Sequence, residues 1–141
     1  MTAKNNSEFF TWKKGEKVQL STNFSTSEFS CKCKNKSCVE QRISKELIER
    51  LQRVRNEYGA IIVTSAFRCD LHNKAVGGAS LSQHRLGRAV DAKPASGHLS
   101  NHPVHDMDRL RNEFRKEFNG IGVHPRFVHG DVRKNKAEWK Y

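Results

Sequence analysis

Apolar residues Ile43, Leu47, Ile48, Leu51 and Val54 recur at the three- and four-residue spacing of one helix face. Ser44 supplies an N-cap with Glu46 close behind, and Tyr58-Gly59 supplies a stop, so this is the best-defined helix in the chain. Residues 60–64 (A-I-I-V-T) form a short β-branched run that predicts a buried strand, and its far end delivers Ser65 and Arg68. Residues 87–92 predict a second strand. Met107, Leu110, Phe114 and Phe118 share one face of a helix over 106–118 that Asn119-Gly120 ends, and 126–132 predicts a last strand. Upstream, hydroxyls and a carboxylate over 24–29 suit the start of a short turn of helix ahead of a cysteine-rich loop. Residues 69–82 read as an irregular loop with a Gly77-Gly78 turn. Nothing over 1–17 is periodic, which predicts a loosely held arm pinned only by Phe9, Phe10 and Trp12, followed by one domain over 18–141.

This order of elements predicts an α+β fold, a single small domain with a mostly antiparallel sheet flanked by helices. A chain of 141 residues with 35% hydrophobic content can build one core but not two. It holds no run of about 18 apolar residues, and Asn5, Asn6, Ser7 and Glu8 stand where an export signal needs an apolar stretch. The expectation is therefore a soluble product, cytoplasmic on synthesis, without a transmembrane segment. Lys and Arg outnumber Asp and Glu by 26 to 15, a formal +11 that favours a polyanion such as nucleic acid, phosphate-bearing wall polymer or anionic membrane. The positive charges are scattered, aromatics are 9%, and no RNP, zinc-finger or helix-turn-helix signature is present, which argues against a specific nucleic-acid reader.

Candidate chemistry lies in two segments. In Ser82-Gln83-His84-Arg85-Leu86-Gly87-Arg88-Ala89-Val90-Asp91 the two metal-ligating residues are too far apart for adjacent turns of one helix, but a turn at Gly87 could return a loop histidine over a strand aspartate. In Phe127-Val128-His129-Gly130-Asp131-Val132, strand alternation puts Phe127, His129 and Asp131 on one face. Asp131 beside His129 suits either of two jobs: outer partner that fixes an imidazole tautomer, or acceptor of a proton from a metal-bound water.

These residues, Ser82-x-His84-x-x-Gly87-x-Ala89-x-Asp91 and the Phe-Val-His-x-Asp-Val-Arg ending at Arg133, resemble the M15 zinc peptidases. That family includes D-alanyl-D-alanine carboxypeptidases, vancomycin-resistance dipeptidases and phage L-alanyl-D-glutamate endolysins, and its fold resembles the hedgehog signalling domain. Thr64-Ser65-Ala66-Phe67-Arg68 is similar to the family's Ser-Gly-Tyr-Arg, and 72–79 resembles its loop before the first ligand. The resemblance covers roughly residues 24–133. It implies one catalytic Zn2+ held by His84, Asp91 and His129, with Arg68 binding substrate and steadying an oxyanion, and Ser82 hydrogen-bonding substrate. The implied substrate is a peptidoglycan stem peptide or cross-link, cut at the cell wall by an enzyme of the phage lysis kind, expected to be a monomer.

One departure stands out. Many relatives carry Glu or Asp three residues before the last histidine as general base, and this chain has Arg126 there. His124 matches a histidine of some carboxypeptidase members and is slightly preferred over Asp131 as the base. The same departure supports the alternative of a non-catalytic zinc-containing binding or virion assembly module. Cys31, Cys33 and Cys38 could hold a second, structural zinc with Cys69 or a histidine as fourth ligand, but the tight Cys-x-Cys spacing and the lack of a second pair fit ordinary thiols as well. His98, His102 and His105 belong to a polar loop or a cleft lip, and residues 133–141 read as a plain terminus in which Trp139 could pack back on the body.

Overall fold

The computed structural model describes residues 4–5, 8–95 and 103–141, with side chains over 8–95 and 106–141. In chain order the elements are β1 (Lys4–Asn5), β2 (Phe9–Lys13), α1 (Thr26–Phe29), β3 (Glu40–Ser44), α2 (Lys45–Tyr58), β4 (Ile61–Ser65), α3 (Asp70–Ala75), β5 (Ala89–Pro94), α4 (Pro103–Glu117), β6 (Gly120–Val123), β7 (Val128–Asp131) and β8 (Ala137–Lys140). The architecture is α+β. A three-stranded antiparallel sheet runs β1-β2-β3, and a five-stranded sheet runs β4-β5-β7-β6-β8, antiparallel except where β8 joins β6 in parallel.

Local chemistry explains the helix ends. The Ser44 hydroxyl accepts from the Leu47 amide at 3.2 Å, satisfying a donor that the first turn of α2 leaves unpaired. Gly59 closes α2 at φ 112°, and its amide returns to the Arg55 carbonyl. Ser25 and Glu28 form a reciprocal capping box at α1. Ile43 lies one step before the cap, in β3 rather than on the helix, yet points into the same core.

That core is one continuous body. Leu47, Ile48, Leu51 and Val54 of α2 share one buried cluster with Leu110 and Phe114 of α4 and with Val90, Ala92, Ile121 and Val128 on the inner face of the larger sheet, against which α4 lies. Side chains alternate across a strand, so the residues between these, Asp91 and His129, are directed to the opposite face. The helices bury one side of the sheet and leave the other for chemistry.

Four expectations need correction. Residues 9–13, expected within a loose arm, pair along their whole length with β3, and Trp12 is buried with its ring N–H donating to Ser30 Oγ at 2.9 Å. Only one side chain of that strand is fully buried, which is why its apolar pattern is weak. Residues 69–82 are not wholly irregular: they contain α3, whose first turn is capped by Cys69. Gly120 opens β6 instead of ending α4. The terminal segment carries β8, with Trp139 opposite Gly122. His98, His102 and the His105 side chain lie outside the described residues.

The turn at Gly87 links the two layers. Its carbonyl accepts from the Ser44 amide at 2.7 Å, its φ is 73°, and a Cβ there would come within 2.9 Å of the Arg42 carbonyl oxygen. A left-handed non-glycine residue under such a contact costs about 1–3 kcal/mol. Gly87→Ala is expected to lower the unfolding free energy by about that amount in a urea titration; an unchanged midpoint would contradict this reading of the turn.

Candidate metal centre

Asp91 of β5 and His129 of β7 are direct cross-strand partners on the outer face of the sheet, which sets their side chains side by side. His84 arrives from the turn after α3. The chain reverses there through hydrogen bonds from the Gly87 amide to the His84 carbonyl and from the Arg88 amide to the Gln83 carbonyl. The result is that Asp91 Oδ1 lies 3.2 Å from His84 Nε2 and 2.9 Å from His129 Nδ1, while the two nitrogens are 3.2 Å apart. All three side chains are buried.

The far side of each imidazole is already held. His84 Nδ1 lies 2.7 Å from the Ala66 carbonyl, and His129 Nε2 lies 2.7 Å from Asp131 Oδ2. Both partners are acceptors, so each ring places an N–H outward and turns its lone pair inward. Two lone pairs and a carboxylate oxygen then face one point at near-contact distances. With both imidazoles neutral that arrangement is repulsive unless a cation sits between them, and two imidazoles plus one carboxylate are the donor set that suits zinc. The residues present therefore fit a metal ion.

Charge follows the same logic. Burial alone would raise the Asp131 carboxyl, but the hydrogen bond from His129 and the ion pair with Arg133 outweigh it and hold the group at about 2. Burial also opposes ionisation of Asp91, and contact with both imidazoles overcomes it, leaving its pKa below the usual carboxylate range. Burial would lower His129, yet Asp131 and Asp91 on its two sides raise it. The centre is built to stabilise positive charge.

Around this point opens a cleft of about 640 Å³. Arg68 and Ser82 line it, as do the aromatic rings of Phe127, Trp139 and Tyr141. The Arg68 guanidinium is steadied by Ser65 Oγ at 3.2 Å and lies 3.7 Å from Asp91 Oδ2, within reach of anything bound beside the three donors. Ser82 Oγ accepts from the His84 amide at 3.2 Å, leaving its hydroxyl proton to donate elsewhere. Trp139 tilts against His129 with ring centres 5.2 Å apart. Burial, then the nearby Asp91 charge, raises the Tyr141 phenol and keeps it protonated.

The two candidates for the base are not brought into the cleft. Asp131 is fully buried; Oδ1 takes the Arg133 amide and Nε, and Oδ2 takes His129 and the second Arg133 nitrogen. Its Oδ2 thus stands behind the His129 ring, the position an outer partner would take. His124 stacks on Phe127 at 4.3 Å and its Nδ1 accepts from the Arg126 amide at 3.0 Å. Neutral His124 thus carries its proton on Nε2 and offers a donor, not the lone pair a base requires. Arg126 is exposed. The sequence places Trp139 back on the body but gives neither it nor Tyr141 a place in the cleft, although an alternating Ala-Glu-Trp-Lys-Tyr is the available signal.

The described residues hold one other convergence of potential ligands. Cys31, Cys33, Cys38 and Cys69 place their sulfurs within 4.8 Å of one another, and none forms a disulfide.

The family described as Peptidase M15 matches residues 22–131, a span that includes all three donors. The chain belongs to the Peptidase M15 family. No curated protein matches it. This M15 chain extends beyond the matched span at both ends, and those extensions supply β2, the central strand of the smaller sheet, and β8, which carries Trp139 and leads into Tyr141. No helix among the described residues is long and apolar enough to cross a membrane.

If Asp131 sets the His129 tautomer, Asp131→Asn weakens metal affinity by roughly 10- to 100-fold. Competition with a chromophoric chelator measures this, and an affinity equal to the parent's would contradict the assignment. Gly120→Ala should act in the same direction, because an added methyl group would overlap the Asp131 carboxylate.

Proposed function

We propose that this M15 peptidase is zinc-dependent and hydrolyses an amide bond in bacterial peptidoglycan, within a stem peptide or cross-link. The observation that carries the reading is the meeting of His84 Nε2, Asp91 Oδ1 and His129 Nδ1 at the floor of a cleft. A zinc ion held there would polarise a carbonyl and lower the pKa of a coordinated water towards neutrality.

The chain's own residues do the rest. Arg68 is a fixed guanidinium beside the donors, suited to stabilise negative charge that develops on the scissile carbonyl oxygen. Ser82 donates to the peptide. Phe127, Trp139 and Tyr141 give the cleft an aromatic wall for the substrate to lie against, and the protonated phenol of Tyr141 is a proton donor at its edge. Exposed Leu81 and Val76, which also line the cleft, give the substrate backbone an apolar margin. The formal charge of +11 favours retention on phosphate-bearing envelope polymers, in keeping with action at the cell wall of the phage-endolysin kind.

One observation favours a second reading, a zinc-holding module that binds wall peptide without cutting it. Among the described residues lining the cleft, Asp91 is the only carboxylate, and it is engaged by both histidines. Mass spectrometry of purified wall fragments separates the two. The peptidase reading predicts chelator-sensitive products whose masses identify the bond, abolished in His84→Ala and His129→Ala. Intact fragments with the zinc-loaded protein would leave only the binding module. Arg68→Ala is expected to lower kcat by about 10²- to 10³-fold, the scale seen when one oxyanion donor is removed; a change confined to KM would show that Arg68 binds substrate without acting on the transition state.

A further inference from the structure

We propose that Cys31, Cys33, Cys38 and Cys69 hold a second zinc ion, closed by four sulfurs, that fixes the loop carrying Arg68. The topology brings together thiols that are far apart in sequence. Cys31 and Cys33 follow α1, Cys38 precedes β3, and Cys69 follows β4, where the Phe67 amide donates to the Phe29 carbonyl at 3.2 Å and docks the two segments. The sulfurs all lie within 4.8 Å of one another. Sulfurs of a regular tetrahedron with metal bonds of ~2.3 Å stand about 3.8 Å apart, and Cys33 and Cys69 are separated by 3.7 Å. A disulfide needs about 2.05 Å.

Each sulfur also receives a donor, the pattern expected of metal-bound thiolates whose charge is shared with their surroundings. The Cys69 amide reaches Cys31 at 3.4 Å, Lys14 Nζ reaches Cys33 at 3.4 Å, Gln41 Nε2 reaches Cys38 at 3.3 Å and the His72 amide reaches Cys69 at 3.4 Å. Four thiolates and one divalent cation leave two negative charges. Lys14 and the exposed Lys32, Lys34 and Lys36 of the same loop offset them.

A structural ion also accounts for what holds this region. The small apolar cluster here consists of Phe67 and the four cysteines, so little hydrocarbon is available to order residues 30–39, which contain no helix or strand. Cys69 is at once a ligand and the N-cap of α3, and it directly follows Arg68. The ion would therefore anchor the arginine from behind, away from the cleft. Four protein sulfurs leave no position for water, the mark of a structural rather than a catalytic zinc site.

Native mass spectrometry of the full chain carrying both His84→Ala and His129→Ala tests this independently of any peptidase activity. The expected result is one zinc retained per chain, and its replacement by Co2+ should produce the intense sulfur-to-metal charge-transfer absorption of thiolate coordination. Cobalt-loaded parent protein should show the same absorption, which keeps the test valid if the double variant fails to fold. A folded double variant free of zinc, a mass lighter by the hydrogens lost in disulfide formation, or cobalt spectra lacking sulfur charge transfer in the parent would each overturn the proposal.

Discussion

The structure is organised around a point at which two imidazole lone pairs and a carboxylate oxygen face one another at 2.9–3.2 Å in a buried setting. Taken alone such a cluster is unfavourable, since buried charge needs compensation in a medium that screens poorly. The acceptors behind the rings prevent the usual escape, in which a histidine rotates or shifts its proton. A positive ion at the centre resolves the conflict, and much of the surrounding fold can be understood as keeping the three donors aimed at it.

Register does most of this. Asp91 and His129 meet because β5 and β7 pair them directly, and a one-residue slip would carry both into the core and turn Val90 and Val128 outward. The core face thereby defends the chemistry on the other side. On β6, alternate positions on the site face are glycines for reasons of space: Gly120 lies against Asp131, and Gly122 lies beneath His129, Trp139 and Tyr141. Arg133 then joins the two regions, pairing with Asp131 while its guanidinium lies over the Trp139 ring at 4.8 Å. Outer partner, ligand and cleft wall form one connected unit.

Much of this was legible in the sequence where the signal is periodic or chemically specific. The α2 face, the alternation that sets His129 and Asp131 together, and the turn at Gly87 could all be read from residue spacing. Other features depend on contacts that spacing does not encode. β2 buries a single tryptophan, β6 presents two glycines instead of an apolar pattern, and β8 is charged at every second position. Cys69 and a histidine were equal choices beside Cys31, Cys33 and Cys38, because the contact that brings Cys69 to them comes from the return of β4 beside α1. His124 looked suited to proton transfer by its type and position, but the Arg126 amide occupies the lone pair that role requires.

A crystal structure of the zinc-loaded protein, with anomalous scattering recorded at the zinc edge, tests the central claim most directly. The account predicts a peak about 2.0–2.2 Å from His84 Nε2, His129 Nδ1 and an Asp91 oxygen, with the remaining coordination position open to the cleft. No anomalous peak between these three side chains, or a peak enclosed there by a fourth protein ligand, would contradict it.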